Sequence, residues 1–227
     1  MYHILFKMSY DAVLFDCDGV IVEMPDRTVM TEAMRRVQRR FELSDPPEQM
    51  VADFFRGNLS SITERCRSAG IERDTFCAEA AREGVRAQLT EIRSGLRSVY
   101  DDVAAVKKLN YPMGVVSDNH PHVLSFLLGR FDLTSYFETV RGCRFTPSGL
   151  ERQKPNPHNV QAALETLGAE SALYVGDQQI DVKAADNAGI DSVLLRRERP
   201  TESGIDVAPT YEVSSLWQLH NILSQRD

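Results

Sequence analysis

The chain has 227 residues, of which 42% are apolar and 26% charged, and its formal net charge is −7. That balance suits a soluble globular domain with or without an insertion, and the acidity argues against nucleic acid or an anionic membrane as partner. No apolar run approaches the roughly 20 residues needed to cross a bilayer.

In chain order, the opening "MYHILFKM" is apolar but too short for a signal-peptide core, and Met8 is a candidate start. A first strand is expected over Ala12–Asp16, ending in "FDCDGV", with Asp16 and Asp18 one residue apart and Gly19 behind them. Residues 23–94 then change rhythm. Val29, Ala33, Val37 and Phe41 share one helical face, as do Val51, Phe54, Phe55 and Ile62, and then Phe76, Ala80, Val85, Leu89 and Ile92. "SDPPEQ" and "SAGIERD" punctuate these helices, so an all-helical insertion with its own small core is expected. Short strands resume at Met113–Ser117, Glu138–Arg141, Leu173–Asp177 and Asp191–Leu195, alternating with helical patterns at Val103–Leu109, Val123–Leu127 and Val160–Leu167. Arg196–Pro209 reads as a loop, and a last helix is expected near Leu216–Leu223. The alternation predicts an α/β protein with a parallel sheet covered on both faces.

Four segments carry chemistry, each where a strand stops or a helix begins, the ligand edge of an open α/β sheet. They are "FDCDGV" (Asp16, Asp18), "VVSDN" (Ser117), "RQKPNP" (Lys154) and "GDQQID" (Asp177, Asp181). If the first and fourth strands are neighbours, Asp16 and Asp177 crowd together, and a hard divalent ion relieves their repulsion; an all-oxygen site selects magnesium. Asp181 follows Asp177 by one helical turn and can face the same site. Lys154 supplies a point charge. Ser117, with the backbone N–H groups of Asp118 and Asn119, can cradle an anion. Together these groups describe a phosphoryl-transfer site.

This ordered set of four segments resembles the haloacid dehalogenase superfamily, and the inserted helices are similar to the cap of its phosphoglycolate-phosphatase-like and β-phosphoglucomutase-like branches. The resemblance implies a Rossmann-like core over 1–22 and 95–227 and a helical cap over 23–94. It implies Asp16 as the nucleophile that becomes an aspartyl-phosphate, and Asp18 as general acid and base. It implies Mg²⁺ held by the Asp16 and Asp177 carboxylates and the Asp18 carbonyl, with Asp181 on the ion's water shell or orienting its neighbours. Ser117 and Lys154 would bind the phosphoryl group. The implied function is Mg²⁺-dependent hydrolysis of a small phosphate monoester, with a sugar phosphomutase or a non-enzymatic receiver-like or scaffold protein as alternatives. A mutase would isomerise substrate without releasing phosphate. The dehalogenase branch lacks the second aspartate, and the phosphonate-cleaving branch needs a cap lysine, whereas no lysine lies between Lys7 and Lys107.

Other residues draw plainer readings. His120 and His122 flank Pro121, which starts a helix, and imidazole suits magnesium poorly. Cys17 is expected to pack, and Arg35, Arg36, Arg39 and Arg40 to form a solvated face. Arg56, in "FFRGNL", is the candidate substrate contact of the insertion. The four cysteines, Cys17, Cys66, Cys77 and Cys143, form no CxxC pair and have no nearby histidine at zinc spacing, so reduced thiols in a cytoplasmic protein are expected. The expected partner is a small phosphorylated metabolite, with no nucleic acid and no membrane, in a monomer or homodimer.

Overall fold

The computed structural model describes residues 10–55, 58–197 and 207–224. Six strands, β1 (Ala12–Phe15), β2 (Met113–Val116), β3 (Thr139–Arg141), β4 (Ala172–Gly176), β5 (Asp191–Leu195) and β6 (Tyr211–Val213), form one sheet in the order β3-β2-β1-β4-β5-β6. Every pairing is parallel. β1, β2 and β4 are buried along their whole length, which is why they read as unbroken apolar runs. Val13 and Phe15 of β1 pack with Val115, Leu173 and Val175 on one face, and Leu14 packs with Val116 and Tyr174 on the other. The chain leaves β1 on one side to build β2 and β3, then returns on the other to build β4, β5 and β6. That reversal opens a crevice at the carboxyl ends of the central strands.

Helices α1 (Arg27–Arg40), α2 (Glu48–Phe55), α3 (Ser60–Ala69) and α4 (Arg73–Arg93) lie between β1 and β2. α5 (Val103–Val106), α6 (Pro121–Arg130), α7 (Pro147–Leu150), α8 (His158–Leu167), α9 (Gln179–Ala188) and α10 (Leu219–Ser224) belong to the remainder. α8 and α9 cover one sheet face through Val160, Ala163, Ala184 and Ala185. Asp26 caps α1 by accepting the Thr28 N–H at 2.7 Å.

Several details differ from the sequence expectation. Asp16, Ser117 and Asp177 each sit one residue beyond their strand, although the Asp16 and Ser117 amides still bond across the sheet, to the Val175 and Arg141 carbonyls at 2.8 and 2.9 Å. β6 is an addition to the expected strands. The apolar face assigned to Val51–Ile62 is divided between α2 and α3. The helices' apolar cluster, which includes Met34, Val37, Phe54, Ile62 and Phe76, is completed by Cys143, Phe145 and Leu150 from beyond β3. The insertion therefore shares its core with the loop it leans on. Arg35, Arg36, Arg39 and Arg40 are solvent-facing yet paired, Arg36 with Glu83 at 3.0 Å and Arg39 with Glu32 at 2.6 Å among them. All four cysteines are buried free thiols. Among the described residues no helix is long and apolar enough to cross a membrane.

Candidate active site

Because β1 pairs directly with β4, with Phe15 opposite Val175, the residues just past these strands meet at the crevice. Asp16, Asp177 and Asp181 each bring a carboxylate oxygen within 4.8 Å of the others. Two glycines permit this crowding. Gly19 has φ +85°, and a β-carbon there would lie 2.2 Å from Asp177 Oδ2. A β-carbon on Gly176 would lie 2.1 Å from the Asp181 β-carbon.

Asp16 is 4% exposed and held from two directions: its Oδ1 accepts the Cys17 N–H at 2.7 Å, and its Oδ2 lies 3.1 Å from Lys154 Nζ. Burial pushes its carboxyl up to about 7, with Asp181 and Asp177 adding to the rise and Lys154 opposing it. Lys154 Nζ also donates to Asp181 Oδ1 at 2.6 Å. Burial disfavours the ammonium, but Asp16 and Asp181 outweigh it and hold its pKa well above the usual lysine value. Asp181 Oδ2 accepts the N–H groups of Asp177 and Gln178 at 3.1 and 3.0 Å, tying the start of α9 to the end of β4. Lys154 thus bridges two of three clustered carboxylates, an all-oxygen donor set that fits a hard divalent ion such as Mg²⁺.

Ser117 is buried at the end of β2, where its Oγ accepts the Asn119 N–H at 3.2 Å. The turn after β2 thus already uses one of the two amides expected to cradle an anion. Asp118 Oδ1 accepts the Lys154 N–H at 3.1 Å, which fastens the lysine segment to that turn, and burial raises the Asp118 carboxyl while Lys154 opposes the rise.

Asp18 faces a different set of neighbours. Its Oδ2 accepts Asn119 Nδ2 at 2.7 Å, and its Oδ1 is paired with the Arg97 guanidinium. Arg97 is buried, which lowers its pKa to about 10 and still leaves it cationic at neutral pH. Sequence reasoning missed Arg97 and Gln88, and assigned Asn119 only a backbone role. Arg97 belongs to no strand-end motif, and Gln88 interrupts the apolar pattern of α4 as any surface residue would. Cys17 is packed, its thiol pushed up to about 12 by burial, so the packing expectation fits what surrounds it. His120 caps α6, its Nδ1 accepting the His122 N–H at 3.2 Å. Arg56 lies outside the described residues.

The sequence model of the haloacid dehalogenase-like hydrolases matches residues 13–195. The chain is 24% identical over 221 residues to a pyrophosphatase PpaX of Bacillus mycoides, covering 96% of this chain and 99% of that one. It is 28% identical over 227 residues to a phosphoglycolate phosphatase of Nitrosococcus oceani, covering 95% and 97%. The fold is similar to that of CbbY from Rhodobacter sphaeroides, solved in complex with phosphate, with TM-score 0.68 and 16% identity over 92% of this chain and 96% of that one. With the acidic crevice in place between β1 and β4, the chain belongs to the haloacid dehalogenase-like hydrolase family and is a phosphatase enzyme.

Proposed function

We infer that the protein hydrolyses a small phosphate monoester with Mg²⁺ and an aspartyl-phosphate intermediate on Asp16. The observation that carries this reading is the convergence of Asp16, Asp177 and Asp181 on one point, with Lys154 Nζ 3.1 Å from the proposed nucleophile. The Asp16 and Asp177 carboxylates and the Asp18 carbonyl would hold the ion. When bound, it would offset the charge of the transferring phosphoryl group.

An Asp16 carboxylate oxygen attacks phosphorus, and the ester oxygen leaves with a proton from Asp18. A water molecule then attacks the aspartyl-phosphate phosphorus and gives its proton to Asp18, releasing inorganic phosphate and restoring Asp16. Lys154 keeps Asp16 oriented and lends positive charge to the site, and Ser117 Oγ–H donates a hydrogen bond to the transferring phosphoryl group. Asp181 acts by orientation: its Oδ1 holds the Lys154 ammonium beside Asp16, and its Oδ2 ties the start of α9 to the end of β4. Helices α1–α4, over 23–94, act as the cap that shields the aspartyl-phosphate from bulk water and admits substrate.

The test is phosphate release from a panel of phosphorylated metabolites, with and without Mg²⁺. Phosphoglycolate and pyrophosphate belong in the panel, because relatives of this chain are named for them. Asp16→Asn should lower turnover by about 10³-fold or more while the protein stays folded. Wild-type turnover in that variant, or isomerisation of a sugar phosphate without phosphate release, would overturn the reading.

A further inference from the structure

Arg97 lies in the short connection after α4, outside every strand-end motif, and is 1% exposed. Its guanidinium makes three directed contacts. Nε donates to the Glu23 carbonyl at 2.6 Å, Nη1 donates to Gln88 Oε1 at 3.0 Å, and Nη2 pairs with Asp18 Oδ1. Asn119 closes a ring. Its Nδ2 lies 2.7 Å from Asp18 Oδ2 and 2.8 Å from Gln88 Oε1, and its Oδ1 accepts Gln88 Nε2 at 3.1 Å. Asp18, Gln88, Arg97 and Asn119 come from four separate parts of the chain: the turn after β1, α4, the connection after α4 and the turn after β2.

Stability alone does not account for this arrangement. Replacing a buried ion pair by apolar side chains of similar volume is often neutral or favourable, because removing two charges from water costs as much as their attraction returns. Orientation does account for it. The planar, three-sided guanidinium and the Asn119 amide each take one oxygen of the same carboxylate, and together they leave it a single direction. The contact shared by both of these donors is Gln88, on a helix of the insertion, whose Oε1 accepts from Arg97 and from Asn119.

We propose that Arg97 is a positioning residue for the reaction, fixing the direction in which Asp18 presents its carboxylate and coupling that direction, through Gln88, to the seating of α4. The inference rests on the phosphatase reading above, in which Asp18 gives its proton to the departing ester oxygen as the P–O bond breaks. An alkoxide departs poorly without that proton, whereas p-nitrophenolate departs readily without it. Loss of direction at Asp18 therefore penalises alkyl esters selectively, and a mere loss of packing does not.

The experiment compares kcat/KM, which reports the steps up to aspartyl-phosphate formation, for p-nitrophenyl phosphate and for the alkyl phosphate the wild type turns over fastest. In Arg97→Met the alkyl value should fall about 100-fold and the aryl value by less than about 5-fold. Arg97→Lys keeps the charge without the fork and should show the same split in reduced form. Thermal melting checks that each variant is folded, and Arg97→Lys carries the test alone if Arg97→Met does not fold. Equal losses on both esters, or no loss on either, would overturn the positioning role. A wild-type enzyme inactive on both esters, or an Asp16→Asn variant as active as wild type, would instead overturn the phosphatase reading beneath it.

Discussion

Lys154 and Arg67 each face carboxylates, in opposite settings. The Lys154 side chain is 5% exposed and its partners Asp16 and Asp181 are 6% and 2% exposed, whereas Arg67, on α3, is 76% exposed against Glu64 at 65%. The exposed pair gains little, because water and salt screen it and two long side chains lose freedom to hold it. The buried group cannot be screened, so each member depends on the others to remain charged. Charge on the outer face of the insertion is thus largely interchangeable, and charge at the sheet edge is not. Between the extremes stands Asp102, just before α5, which accepts hydrogen bonds from Arg197 at 2.9 Å, the Leu216 N–H at 2.9 Å and Ser215 Oγ at 3.0 Å.

The sharpest way to break this contrast is Lys154→Met. Removing the sole cation that the described residues set against Asp16 and Asp181 should destabilise the metal-free protein by about 3 kcal/mol. Phosphatase turnover should fall at least about 100-fold. Urea unfolding and phosphate release measure the two effects, and a variant of wild-type stability would show that these carboxylates need no fixed cation.

Asp102 tests the middle of the range. Burial opposes its ionisation, but the Arg197, Leu216 and Ser215 contacts prevail and hold its carboxyl below the usual 3.8. A carboxylate with a lowered folded-state pKa contributes stability above its unfolded value and loses it as pH falls through the folded one. Asp102→Asn should therefore cost about 2 kcal/mol at neutral pH. The gap to wild type should close as the pH drops below 3.8, which denaturation at a series of pH values would track. A gap that stayed constant with pH would mean that the Asp102 charge is not what stabilises the contact. The smallest effect belongs to Arg67→Ala, where melting should move by no more than about 2 °C. A larger shift would erase the distinction between the two surfaces.

Much of the site was legible before any coordinates. Asp16, Ser117 and Asp177 stand out because buried strands are apolar runs, so a polar residue at their end is visible as a break in the pattern. Asp181 and Lys154 were legible by helical spacing and by order along the chain. Arg97, Gln88 and the Asn119 side chain were not. A buried arginine and a solvated one occupy the same kind of position in a sequence, and the contacts that bury Arg97 come from residues 23, 88 and 18, whose proximity no local period encodes.

The sequence by itself determined the alternation of strands and helices, the helical insertion after the first strand, and the identity of the acidic strand ends. Each depends on periodicity and turn chemistry within a dozen residues. Tertiary structure alone decided that β1 would lie between β2 and β4, that the insertion's core would close on Cys143, Phe145 and Leu150, and that Asp18 would be ringed by Arg97, Gln88 and Asn119. The physical reason is that strand order and buried polar pairing are settled by contacts between distant segments, where the gain depends on which surfaces meet and not on the identity of the neighbouring residues along the chain.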